Sequence, residues 1–223
     1  MVENGTTACK WDTVIPFAPL WEAYKRVIVP NGAIVLFGSQ PFTSALVMSN
    51  LEWFKYEWVW QKTNGGGFLN ANRMPLKRHE NILVFGQGTL TYNPQKTEGK
   101  PWRRAERSRG VSIHNGGRLK PGEGSESNDG TRYPLSVQLF ANSNNGGLHP
   151  TQKPSALFDY LINTYTNPGD LVLDSCMGSA TTPVACLNTG RHFIGIEKND
   201  DYFSAGCDRV RARQLDLDST LPL

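Results

Sequence analysis

Two short apolar runs separated by a glycine-bearing turn constrain this chain more than any other feature. Leu171-Val172-Leu173-Asp174 leads into Ser175-Cys176-Met177-Gly178-Ser179-Ala180, and Phe193-Ile194-Gly195-Ile196-Glu197 follows. The pattern reads as a buried strand, a tight turn, a helix from about Thr182 to Asn188, and a second buried strand ending on a carboxylate. Strands that are apolar throughout need cover on both faces, so this βαβ unit belongs in a layered α/β sheet. Gly178 permits close approach of a ligand to the main chain. Glu197 can accept two hydroxyl hydrogen bonds, as a ribose diol requires, and lies 23 positions after Asp174, near the spacing of about 20 in nucleotide-binding fingerprints. There is no G-x-G-x-x-G string, so the unit is not the dinucleotide-binding form.

The rest of the chain extends the same alternation. Helices are predicted over 17–28, 41–50, 154–165 and 202–214, and strands over 33–38, 53–61 and 81–85, with Asn64 to Gly67 as a flexible loop. The expected fold is α/β, a Rossmann-like doubly wound and mostly parallel sheet, with Asp174, Gly178 and Glu197 on the edge formed by strand carboxyl ends. Between Gly86 and Leu148 the chain turns polar, rich in Gly, Ser, Asn and Pro, without a sustained period. Irregular stretches of that length inside a compact protein tend to be functional or disordered. This one carries Lys96, Lys100, Arg103, Arg104, Arg107 and Arg109 around Trp102, opposed by Glu98 and Glu106. Cations beside an aromatic ring suit a phosphate backbone and a stacked base; a solvated charged loop fits the same residues equally well.

Bulk properties exclude several classes. A length of 223 residues suits one embellished domain. No run approaches the ~20 apolar residues of a membrane helix, and the first residues lack a signal-peptide pattern, so no membrane partner is expected. The four cysteines are scattered without a C-x-x-C pair; reduced cytoplasmic thiols are expected, and neither a metal centre nor a disulfide framework. The net charge of +3 decides nothing about partners.

His149-Pro150-Thr151-Gln152-Lys153-Pro154, followed by a helix and the Asp174 strand, resembles the β class of DNA amino-methyltransferases. Gly5-Thr6-Thr7-Ala8-Cys9-Lys10-Trp11-Asp12, Leu36-Phe37-Gly38-Ser39-Gln40-Pro41-Phe42, His79-Glu80-Asn81-Ile82-Leu83-Val84-Phe85 and Arg132-Tyr133-Pro134-Leu135-Ser136-Val137 look like its phage and prophage members, in the family's order. The resemblance implies methyl transfer from S-adenosylmethionine to an exocyclic base amine of double-stranded DNA, adenine N6 foremost, within restriction-modification systems, on a base flipped out of the duplex. It divides the chain into a catalytic half (1–85), a target-recognition region (86–148) and a cofactor-binding half (149–223). It assigns cofactor contacts to His149, Thr151, Gln152, Lys153, Asp174, Met177, Gly178, Ser179, Ala180 and Glu197. Lys153 suits the methionine carboxylate, Asp174 the amino group and Glu197 the ribose. DNA contacts fall to Lys77, Arg78, His79, Arg103, Arg104, Arg107 and Arg109, chiefly through phosphates.

This chain departs from the family pattern in two places. The family carries Asp-Pro-Pro-Tyr, or Ser-Pro-Pro-Tyr, directly before the glycine corresponding to Gly5; here that slot reads Met1-Val2-Glu3-Asn4. The resemblance therefore leaves no intact catalytic tetrapeptide, and the central strand that leads into it is expected to be absent, with a second copy or a complementing chain among the groups that could fill the place. Ala180 and Pro183 stand where glycine is usual, and the Ala180 methyl is expected to crowd the ligand if that position takes a positive φ. The competing reading is an inactive or split remnant that binds DNA or cofactor.

Overall fold

The computed structural model describes residues 14–103, 127–142 and 152–220. The Met1–Asn4 slot, Arg104, Arg107, Arg109, His149 and Thr151 lie outside the described residues, as does the side chain of Arg103.

Strand β3 (Lys77–Phe85) organises the larger sheet, whose order is β1 (Ile34–Gly38), β3, β2 (Phe54–Gly66), β8 (Val137–Phe140). β1 and β2 each pair antiparallel with β3, and β2 pairs parallel with β8. Side chains alternate across a strand, and β3 feeds two cores accordingly. Ile82 and Val84 pack with Trp58, Trp60, Leu157, Leu161 and Tyr165 on one face. Leu83 and Phe85 pack with Trp21, Ile34, Leu46 and Trp53 on the other. Helices α1 (Phe17–Val27) and α2 (Phe42–Met48) cover the second face, and α3 (Ser155–Tyr165) covers the first. The sheet is thus wound on both sides, as the α/β reading requires, with mixed strand directions because β2 and β3 are joined by a hairpin.

Three sequence expectations are corrected. The Gly-rich 64–67 segment is not all loop: β2 continues to Gly66, which pairs with Lys77 after a register shift beyond Gln61. The polar 86–148 stretch is not irregular throughout, since Val137–Phe140 enters the main sheet as β8, where Trp60 Nε1 donates to Phe140 O at 3.0 Å. Four residues, Val137-Gln138-Leu139-Phe140, are too short a run to announce a strand inside a polar stretch; pairing with β2 supplies it.

The βαβ unit forms as expected. β9 (Leu171–Asp174) and β10 (His192–Gly195) pair in parallel, joined by α4 (Thr181–Thr189). α3 reaches this pair with its neighbouring face: Ile162 and Phe158 pack with Ala185, Cys186, Val172 and Phe193. The third correction concerns the opposite face. Leu171 (60% exposed), Leu173, Ile194 and Ile196 lie open, so among the described residues these strands are covered on one side only. Among the described residues, too, no strand pairs with the second edge of β9 or of β1. α5 (Asp200–Ser219) follows, capped where the Asn199 side chain accepts from Tyr202 N, with Asp200 and Asp201 in its positive first turn.

Pro94–Leu135 forms a separate compact unit. β4 (Thr97–Glu98) pairs antiparallel with β7 (Thr131–Arg132), and β5 (Trp102–Arg103) with β6 (Ser127–Asn128). Asp129-Gly130 makes the turn between β6 and β7. The Asp129 carboxylate accepts from Thr131 N and Oγ1, which lowers its pKa, and Gly130 has φ of +105° with Gly99 O too close to admit a Cβ. Lys96 Nζ stands 4.6 Å from the centroid of the Tyr133 ring.

Candidate active site

The carboxyl ends of β9 and β10 build one polar rim. Asp174 is the last residue of β9, and Glu197 lies two residues beyond β10. The turn between β9 and α4 is tied to that end: Met177 N donates to Ile196 O at 3.0 Å and Gly178 N to Glu197 Oε2 at 3.0 Å. Glu197 Oε1 takes Asn199 N at 2.9 Å. Each carboxylate oxygen thus holds one main-chain donor and keeps acceptor capacity for a ligand hydroxyl. Asp174 accepts from Cys176 N at 3.0 Å and from the Thr182 hydroxyl. It does not cap α4; that place falls to Ala180.

Ala180 has φ of +61°, the left-handed region, and is the sole non-glycine residue there among the described residues. Its methyl is fully buried and turns toward Gly206 of α5, where a built Cβ would lie 3.2 Å from it. The positive φ on which the expected crowding of a ligand depended is present, and the methyl points into the α4–α5 contact, where the missing side chain at Gly206 makes room. Met177 lies across Gly195, whose built Cβ would come within 2.3 Å of Met177 Sδ.

The residues before α3 join this rim to the larger sheet. Gln152 Oε1 accepts from Ser179 Oγ at 3.2 Å. Lys153 Nζ lies 3.5 Å from Glu80 Oε2 and 5.0 Å from the Phe37 ring centroid. Phe37 in turn stacks on Phe158 of α3 at 5.4 Å. Glu80 also takes Lys62 Nζ at 2.5 Å. Burial alone would raise the Glu80 carboxyl, but the Lys153 and Lys62 ammonium groups outweigh it and hold the group below the usual range. On the α1 side, the hydroxyls of Tyr24 and Ser175 lie 2.9 Å apart, pinning the start of the turn.

Asp174, Met177, Gly178, Ser179, Ala180 and Glu197 thus lie on or beside one turn, Gln152 reaches it through Ser179, and Lys153, next along the chain, faces Glu80. Lys77, Arg78 and His79 take no part in holding that turn and are exposed on the part of β3 that leads to Glu80. Sequence reasoning missed Glu80, Phe37 and Tyr24 as parts of the site. Glu80 stood inside a recognised string, but its partners are 18 and 73 positions away, so only packing reveals them.

The sequence pattern of the family described as "DNA methylase", of N6/N4 type, matches residues 10–206. The chain is 28% identical over 228 aligned positions to the type II methyltransferase M.HpaI of Haemophilus parainfluenzae, covering 97% of this chain and 66% of that one. It is 50% identical over 62 residues to the DNA adenine methyltransferase YhdJ of Escherichia coli K12, over 28% of this chain and 21% of that one. The chain therefore spans just under two thirds of the first of these relatives and about a fifth of the second. Among solved structures, the M1.HpyAVI–SAM complex is similar, with a TM-score of 0.58 and 28% identity, over 84% of this chain and 78% of that one.

Proposed function

The chain belongs to the N6/N4 DNA methylase family, and from that premise we propose that it transfers the methyl group of S-adenosylmethionine to an exocyclic amine of a DNA base, adenine N6 in particular, in the cytoplasm where that DNA lies. The observation that carries the reading is that two carboxylates, Asp174 and Glu197, hold the turn around Gly178, which Gln152 reaches through Ser179 with the cation Lys153 next to it in the chain. That donor set matches the cofactor group by group. Lys153, held beside Glu80, would pair with the methionine carboxylate; Asp174 would receive the amino group; and Glu197 would use its remaining acceptor capacity for the ribose hydroxyls. Met177 and the buried Ser179-Ala180 main chain close the floor of the site. Bound there, S-adenosylmethionine supplies a methyl group on a positively charged sulfur, already activated for in-line displacement.

The protein's part is positioning. The rim would hold the cofactor, and the target amine must be brought to its methyl group, which requires a base flipped from the duplex. Adenine rather than cytosine is favoured by the segment shared with the adenine-specific relative. The 86–148 region, with the separate Pro94–Leu135 unit at its centre, serves as target-recognition region, its cations holding phosphates. Residues 1–85 and 149–223 are the catalytic and cofactor halves.

Two measurements test this. Labelled methyl incorporation into unmethylated DNA should exceed that of Glu197→Ala by at least about tenfold, the equivalent of about 1.4 kcal/mol; equal incorporation refutes the enzyme reading. By calorimetry, Lys153→Ala and Glu197→Ala should each weaken S-adenosylmethionine binding by about 1.5–3 kcal/mol, the range for hydrogen bonds to charged groups; unchanged affinity in both moves the cofactor elsewhere.

A further inference from the structure

The tip of the β2–β3 hairpin has no role in the site as described, yet its chemistry is specific. β3 runs from full burial at Leu83 and Val84 (0% exposed each) out to a tip where Leu69 is 102% and Phe68 71% exposed, with Met74 and Leu76 also open. The tip is built as a defined turn. Gly67 takes φ of +91° and leads into a 3-10 turn over Phe68–Asn70. Asn70 N bonds to Gly67 O at 2.9 Å, and Arg73 N and Met74 N both bond to Asn70 O. Two large apolar side chains on a turn of this kind contribute nothing to the core.

Their setting names a partner. Between Glu57 and Glu80 the chain contains Lys62, Arg73, Lys77 and Arg78 and no carboxylate. Lys62 is paired with Glu80, so the exposed charges beside the apolar tip are the cations Arg73, Lys77 and Arg78, with His79 next to them at its base. The hairpin leaves the sheet beyond Gln61 and His79, at the carboxyl end of β2. Glu80, the next residue of β3, holds Lys153 of the rim, so the hairpin rises beside the site. A polyanion whose interior is apolar and stacked fits both parts: phosphates on the cations, bases at the tip.

We infer that Phe68 and Leu69 form a wedge that enters the base stack of duplex DNA and occupies the space vacated by the flipped target base. This deepens the methyltransferase reading and rests on it. A base turned out of a duplex leaves an unstacked gap, and apolar side chains inserted between base steps are a known means of stabilising such openings. The cations beside the tip fix the hairpin on the backbone without reading sequence.

The test uses the full chain and a Phe68→Ala/Leu69→Ala double variant, with unmethylated phage λ DNA as probe. Both side chains are exposed, so the fold and S-adenosylmethionine affinity should persist. Methyl transfer to the duplex should fall about tenfold, the equivalent of about 1.4 kcal/mol, while transfer to the same DNA after heat denaturation should fall much less, because no stack remains to open. Permanganate reactivity of unstacked thymines in protein-bound fragments should appear with the wild type and be lost in the variant, a readout that needs no turnover. Equal losses on duplex and denatured DNA, or unchanged thymine reactivity, overturn the wedge. So does a shift from dimer to monomer in the variant on sedimentation with DNA unstacking intact, which makes the tip a contact between copies. A wild type that binds DNA without unstacking it overturns the wedge alone; one that neither binds nor methylates DNA overturns the functional reading and the wedge with it.

Discussion

Gly206 is where the long α5 helix presses on the cofactor turn, and an alanine there makes a sharp test of how that turn is held. A Cβ at this position would lie 3.2 Å from the Ala180 methyl, 3.2 Å from Gly178 O and 3.6 Å from Ala180 N. Carbon atoms settle at about 3.5–4.0 Å, so the methyl contact is too close by several tenths of an ångström. In an unhindered helix interior, glycine to alanine gains about 0.5–1 kcal/mol; overpacking a tight site loses about 1–3 kcal/mol. We expect the loss to prevail, with Gly206→Ala destabilising by about 1 kcal/mol and also weakening S-adenosylmethionine through displacement of Gly178. Ala180→Gly alone should be close to neutral. It relieves a left-handed alanine worth about 1–2 kcal/mol, but loses a buried methyl worth about 0.8 kcal/mol and adds unfolded-chain freedom worth about 0.4–1 kcal/mol. In the double variant the offending methyl is gone. The remaining contact, with Gly178 O, is near the ordinary carbon–oxygen range of about 3.3–3.6 Å, so the helix gain returns. The double variant should therefore match or exceed the wild type, with a coupling of about 1–2 kcal/mol. Urea unfolding followed by tryptophan fluorescence measures the cycle, provided the slopes agree among variants. Gly206→Ala as stable as wild type, or a coupling below about 0.5 kcal/mol, refutes the reasoning.

Two further predictions concern charge. Because the paired lysines hold the Glu80 carboxyl below its ordinary value, its contribution is complete above the unfolded carboxylate pKa of about 4.3 and is lost as pH falls through the lower folded value. Glu80→Gln should therefore cost about 1–2 kcal/mol near pH 7, with the gap to wild type closing in acid; urea midpoints at pH 7 and pH 3 that differ by the same amount would contradict it. Arg191 is 9% exposed and donates to Thr166 Oγ1, Thr166 O, Asn163 Oδ1 and Thr189 O, tying the end of α3 to the turn before β10. Its replacement by methionine keeps the aliphatic stem but strands those acceptors, and a thermal scan should register a loss of about 2–4 kcal/mol; a change under about 0.5 kcal/mol, the ordinary surface range, would mean that water replaces the guanidinium without penalty.

Much of the architecture was legible in the chain because it rests on local periodicity. Leu171–Asp174 and Phe193–Gly195 are short apolar runs bounded by turn residues, and they form β9 and β10 as read. Helix α3 follows its spacing of Leu157 and Leu161, both buried against the sheet. The residues of the Gly178 turn, the candidate site, were legible for the same reason: turn, carboxylate and strand are adjacent in sequence. β8 was not, since its four residues become a strand through pairing with β2. The extended reach of β2 and β3 was not either, because glycine and charge obscure the alternation that pairing restores.

By itself, then, the sequence determined the α/β class, the βαβ unit and the family resemblance, all of which are written in residues near one another along the chain. The tertiary structure decided what depends on distant residues meeting: that Lys153 is held by Glu80 over Phe37, that the Ala180 methyl turns to Gly206, and that Phe68 and Leu69 stand exposed at the tip of a hairpin. No local pattern encodes these placements, because burial and charge pairing are set by the packing of elements and not by the order of residues within them.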